Sequence, residues 1–286
     1  MLKRILLWLS LAAFTAVPAY AGNIVNLDKS KIRLSIAPGQ VKTGSIVVEN
    51  GSADPKTVRI YAEDWNYVAP FDGSKDFHTA GTTALSCANW ISYEPAELTL
   101  GPFAKQQVNY SVRVPEGADG GHYAVLFFEN YVTSPASGSE GVGVNVAVRM
   151  ACLFYVEAEG MVKEELALGD LSVKKEGKKP LELKLKLTNT GNTDITCGGT
   201  YDIMDAAGMV FARGELSQVY MLPGDYGTTA GSWSLPLNKG TYNLVLTLDL
   251  GKAEEEAGMG RGPILVKETE LEIGDANEVV SFGELK

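Results

Sequence analysis

Along much of this chain apolar and polar residues alternate one for one, the period of a β-strand with one dry and one wet face. Leu181-Glu182-Leu183-Lys184-Leu185-Lys186-Leu187 sets four leucines against three charges. A 3.6-residue helical repeat would spread those leucines around its axis instead of gathering them on a face. Val108 to Val114 and Val144 to Arg149 alternate in the same way. The pattern places further strands at Lys31 to Ala37, Gly44 to Asn50, Thr57 to Trp65, Trp90 to Leu100, His122 to Tyr131 and Gly143 to Val156, separated by turn sequences such as Asn50-Gly51-Ser52 and Asn238-Lys239-Gly240. The polar connection from Asn66 to Asn89 is either a surface loop or an extra edge hairpin. Trp65, Trp90, Tyr123 and Phe127 are expected in one core and Trp233 and Tyr242 in another.

A weak internal repeat sets the domain count. Leu100-Gly101-Pro102 leads to Val114-Pro115 and then Gly121-His122-Tyr123; Leu222-Pro223-Gly224 leads, with the same spacing of thirteen between prolines, to Leu235-Pro236 and Gly240-Thr241-Tyr242. The expected fold class is all-β, two tandem immunoglobulin-like β-sandwich domains at 22–158 and 159–275, followed by a flexible tail at 276–286.

The first residues address the chain to export. Lys3 and Arg4, the apolar run Ile5 to Val17 and the small-x-small site Ala19-Tyr20-Ala21 read as a signal peptide at 1–21, cleaved after Ala21. The run is shorter than the roughly 20 residues of a spanning helix, and nothing later resembles a span, so no membrane insertion is expected after cleavage and the location is periplasmic or secreted. Cleavage removes two of the 25 basic residues and takes the formal charge from −10 to −12. Such an acidic surface repels nucleic acid.

A search for chemistry finds little. His78 and His122 are the two histidines of the chain, too few for a His-rich metal site or an HExxH pair. Gly138-Ser139-Glu140-Gly141 lacks the first glycine of a nucleophile elbow. Asp72-Gly73-Ser74-Lys75-Asp76 is a turn with fewer ligands than a calcium loop, and Glu254-Glu255-Glu256 reads as a solvated hairpin. No enzyme, metal or cofactor is expected. Three cysteines in an exported chain leave one thiol over. Strand direction puts Cys87 and Cys152 at the same pole of the first sandwich, so a Cys87–Cys152 disulfide with Cys197 free is one reading; three separate buried thiols is the other.

Val25 to Asp28, Pro38 to Asn50, Trp90 to Pro95, Leu100-Gly101-Pro102, Val112 to Pro115 and Cys152-Leu153-Phe154-Tyr155, in that order, resemble the PapD-like periplasmic pilus chaperones. The resemblance implies two sandwiches set at an angle and a strand lent to an incomplete pilus subunit by β-augmentation. In that family a basic residue precedes the Leu-Phe-Tyr-like run and, with another on the first strand, grips the subunit's terminal carboxylate. Here Cys152 stands in the first place, and Lys31 or Arg33 is left to supply the second. The donor positions aligned back from Leu153 are Gly143, Asn145 and Ala147, whereas Val144, Val146 and Val148 lie on the opposite face and fill the sandwich core unless a bulge shifts the register. The resemblance implies a partner-binding set of Lys31, Arg33, Val144, Asn145, Val146, Val148 and Cys152. The expected role is an exported chaperone-like or assembly-accessory protein whose partner is a protein, such as a pilus or surface subunit. The alternative is a structural or adhesive cell-surface module.

Overall fold

The computed structural model describes residues 25–134, 144–175, 179–251 and 262–286. The segment expected to be the signal peptide, the Gly138–Gly141 turn, Gly143 and the Glu254–Glu256 run lie outside them. The chain builds two β-sandwiches. The first contains β1 (Val25–Leu27), β2 (Lys31–Ile36), β3 (Val41–Asn50), β4 (Lys56–Tyr67), β5 (Lys75–Thr79), β6 (Ile91–Glu94), β7 (Glu97–Leu100), β8 (Lys105–Arg113), β9 (Gly121–Ser134) and β10 (Val144–Ala158). One sheet has the order β1-β3-β8-β6; the other has β2-β10-β9-β4-β5, with β7 also on β4. Inward residues at every second position, Ile46, Val48, Val58, Val108, Val112, Leu126, Phe128 and Phe154, form its core.

The second sandwich contains β11 (Leu166–Lys174), β12 (Leu181–Asn189), β13 (Ile195–Met204), β14 (Val210–Met221), β15 (Tyr226–Trp233), β16 (Gly240–Asp249), β17 (Ile264–Ile273) and β18 (Val279–Phe282). Its sheets have the orders β11-β12-β15 and β14-β13-β16-β17-β18. Leu181, Leu183, Leu185 and Leu187 are all buried, as their alternation requires.

Two expected segments are built differently, and the choice left open after Asn66 falls to one of its two alternatives. The strand expected over Trp90 to Leu100 is broken: a 3-10 turn at Ala88–Trp90 leads into β6, and the chain changes sheets at Pro95, which has no N–H for a ladder. The connection after Asn66 is an edge hairpin, with β5 laid on β4. Residues 276–286, expected as a flexible tail, form β18 and then run on along β17 through the bonds Gly283 N–H to Glu270 O and Lys286 N–H to Glu268 O. Val279 and Leu285 pack on the second core and give that end something to bury.

The aromatic residues are buried where a two-faced sheet needs them. Trp65, Tyr123 and Phe127 are buried, but on the outer face of the β2-β10-β9-β4-β5 sheet, in a cluster with Tyr67, Val125, Tyr155 and Leu222 of the second domain. Tyr242 is buried in the second core, while Trp90 and Trp233 are half-buried at the margins. The central strands β4, β9 and β10 are thus dry on both faces near the domain joint. Phe71, at the tip of the β4–β5 hairpin, joins this cluster to the second core, and its carbonyl accepts the Tyr220 N–H.

Candidate partner-binding edge

β10 is the longest strand, and its two halves have different neighbours. β9 pairs with it antiparallel from Val144 to Glu157. On its other side β2 pairs with it, in parallel, only from Leu153 to Ala158. From Val144 to Cys152 no strand of the described residues pairs with that side. The Leu153 N–H points across the edge to Ser30 O at 2.9 Å. Backbone direction alternates along a strand, so the N–H groups of Ala151, Arg149 and Ala147 face the same open side. The open stretch ends where β2 begins, at Lys31.

The far end of this stretch has fewer paired strands around it. β4 follows β9 only as far as Asn130, opposite Val58, so among the described residues the last part of β9 pairs with β10 alone. Tyr131 is 61% exposed and Val146, opposite Val132, is 50% exposed. Val146 is expected to fill the core, and it shares the alternate positions of Cys152 and Phe154, which do, but is itself exposed. Val148 is half-buried and Met150 packs on the core. Val144 and Asn145 take their places in the ladder opposite Ser134 and Thr133. Asn130, at the rim between these regimes and opposite Val148, is fully buried, and both polar atoms of its amide lack a hydrogen-bond partner. On the outer face Arg149 lies over the Phe127 ring, 4.4 Å from its centroid, and pairs with Glu63.

Arg33 is not presented to a partner. Its side chain is 3% exposed and forms a forked ion pair with Asp194, 1% exposed, at the entry to β13. Burial works against its charge, and Asp194 first and Glu157 next outweigh that and raise its pKa. Lys31 opens β2, its ammonium 5.3 Å from the centre of the Tyr155 ring. Lys75 on β5 lies 4.9 Å from the Tyr67 ring centre and donates to Gly73 O; the Tyr67 and Tyr155 hydroxyls are 3.0 Å apart. Burial, and then the nearby Lys31 charge, lowers the Lys75 pKa. The pattern of Lys75 carried no signal in the sequence, because its place depends on a hairpin that the sequence left open.

Cys152 also faces inward. It is fully buried in the first core, and burial pushes its thiol up to about 12. The Cys87–Cys152 bridge is not formed: all three cysteines are buried free thiols, Cys197 in the second core. Cys87 gives its N–H to Tyr123 O, whereas Cys152 stands opposite Leu126. Three residues along a strand is about 10 Å, beyond the roughly 7 Å between Cα atoms that a disulfide spans.

Among the described residues no three His, Cys, Asp or Glu side chains come together as a metal would need. Ser86 Oγ donates to Asp64 at 2.6 Å and accepts the Ala88 N–H, so it holds a turn. Asp64 also accepts from the Thr82 and Thr83 N–H groups. Asp72 likewise closes its own turn through the Ser74 N–H. No helix among the described residues is long and apolar enough to cross a membrane.

Sequence comparison finds no matching family model and no curated protein. Solved structures do match. The class 5 fimbriae chaperone CfaA is 13% identical, with 85% of this chain and 98% of that one covered and a TM-score of 0.47. The Salmonella enterica SafA pilin–SafB chaperone complex matches at 14% identity over 85% and 95%, TM-score 0.40. The CsuC–CsuE chaperone–tip subunit complex of Acinetobacter baumannii matches at 11% over 85% and 97%, TM-score 0.40.

Proposed function

We propose that this chain is an exported, non-enzymatic protein that binds a protein partner by pairing a partner strand with the open edge of β10. The observation that carries this reading is the one-sided pairing of β10 from Val144 to Cys152. An unpaired edge invites a strand, and long unprotected edges are normally shortened, charged or covered. Here the edge is long, and the ribbon exposes Val146 and Tyr131. A strand laid there would lie in line with β2 and end near Lys31. Arg33 is closed off by Asp194 and Cys152 lies in the core, so neither offers a charge to a carboxylate at that end. The partner class is a pilus or surface subunit, as in the chaperone–subunit complexes similar to it, and the role is chaperone-like or assembly-accessory in the periplasm.

The test is capture of partners from the exporting cell by the mature chain and by Ala147→Pro. Proline at 147 removes an N–H that faces the open side and leaves the bonds to β9 intact. A one-to-one complex with a subunit that is lost on Ala147→Pro is expected. Undiminished capture by the folded variant overturns edge pairing, and retention of the chain on the cell surface without a subunit favours an adhesive module.

A further inference from the structure

Three segments distant in sequence meet at the Arg33 guanidinium. β2 supplies Arg33; β10 supplies Glu157, 3.5 Å away, and Tyr155, whose ring centre lies 4.4 Å from the guanidinium carbon; the turn before β13 supplies Asp194. Around them Thr193 Oγ1 donates to Glu157 at 3.0 Å, the Tyr123 hydroxyl approaches Asp194 at 3.4 Å, and the Gly121 N–H bonds Asn192 O at 2.8 Å. Gly120, at φ 65°, has the Asn192 carbonyl where a Cβ would stand. The second domain therefore rests directly on the start of β9 and the end of β10.

We propose that Arg33 is a positioning residue that fixes the second domain against the paired half of β10, and that Asp194 occupies the guanidinium which a partner carboxylate would need. The physical reason is the cost of separation. A buried guanidinium that loses its carboxylate stays behind as an unpaired charge, and breaking such a pair is far more costly than never making it. Parting the domains would strand Arg33 in that state and uncover the Trp65–Tyr155 cluster as well. The two domains are thus coupled into one cooperative unit. The surroundings also turn away a further carboxylate: Glu157, Asp194 and the nearby Glu164 already face one guanidinium. Burial first, then the charges of Glu157 and Asp194, pushes the Glu164 carboxyl up, as such crowding requires.

This inference rests on the β10 reading only for its consequence, that the latch sets the direction in which the open edge leaves the joint. Its test needs no partner. Calorimetry of the mature chain is expected to show one transition, and the Arg33→Gln and Asp194→Asn variants two, as the domains melt separately. In the unaltered protein the Gly121 amide is expected to exchange hydrogen as slowly as the core amides of Leu126 and Leu246. A single transition at the parent temperature in either variant overturns the latch. So does a Gly121 amide that exchanges a hundredfold faster than both cores, a measurement that decides the matter even if neither variant folds. Loss of capture on Ala147→Pro with this joint intact concerns the edge alone.

Discussion

The two halves of β10 share a strand, a partner in β9 and the same alternation, yet they live in different surroundings. From Leu153 to Ala158 the strand is central: β2 and β9 flank it, Phe154 and Val156 face the first core, and Tyr155 faces the aromatic cluster. From Val144 to Cys152 no described strand pairs with one side, and Val146 is exposed. The difference teaches that a strand's stability and its availability are set by its neighbours, since the sequence pattern is continuous across the change. One half anchors the domain joint; the other is offered outward.

Breaking the anchored half should have the largest effect. Phe154→Ala removes a fully buried ring and should cost about 3 to 5 kcal/mol, read by urea melting. Cys152→Ser, just inside the rim, places a hydroxyl in an apolar core and should cost about 1 to 3 kcal/mol. By the same contrast, all three thiols should resist a thiol reagent at pH 8 until the protein unfolds, because burial raises every one of them. Asn130 marks the boundary, and its sign should be opposite: Asn130→Leu replaces an unpartnered buried amide with an apolar side chain of similar size and should stabilise by about 1 kcal/mol. Val146→Ser in the outward half should change stability by less than about 0.5 kcal/mol. A loss of several kcal/mol there would mean that this exposed stretch is packed after all.

Alternation made the strands legible, and with them most of the fold: the four leucines of β12 are buried together, and the edges of most first-domain strands fall within a few residues of the pattern. What alternation does not tell is which face meets the second sheet. Trp65, Tyr123 and Phe127 were readable as buried, but their sheet is apolar on both sides, so their companions were not. The latch was beyond reach for a different reason. Arg33 and Asp194 lie 161 residues apart, each in a local sequence typical of a strand start or a turn, and nothing near either residue announces the other. Cys87 and Cys152 were readable as sharing a sandwich, but their separation along it depends on register, which needs the ladder itself.

The aromatic face also imposes an order in time. Leu222 and Tyr220, which cover Trp65, Tyr67 and Tyr155, come more than sixty residues after β10 ends. As the chain is made from its N-terminus, the first sandwich can close its own core long before those residues arrive. Until then its outer face is bare apolar surface, apt to stick to whatever is near. A protein proposed to shield unfinished chains is, for that interval, an unfinished chain itself.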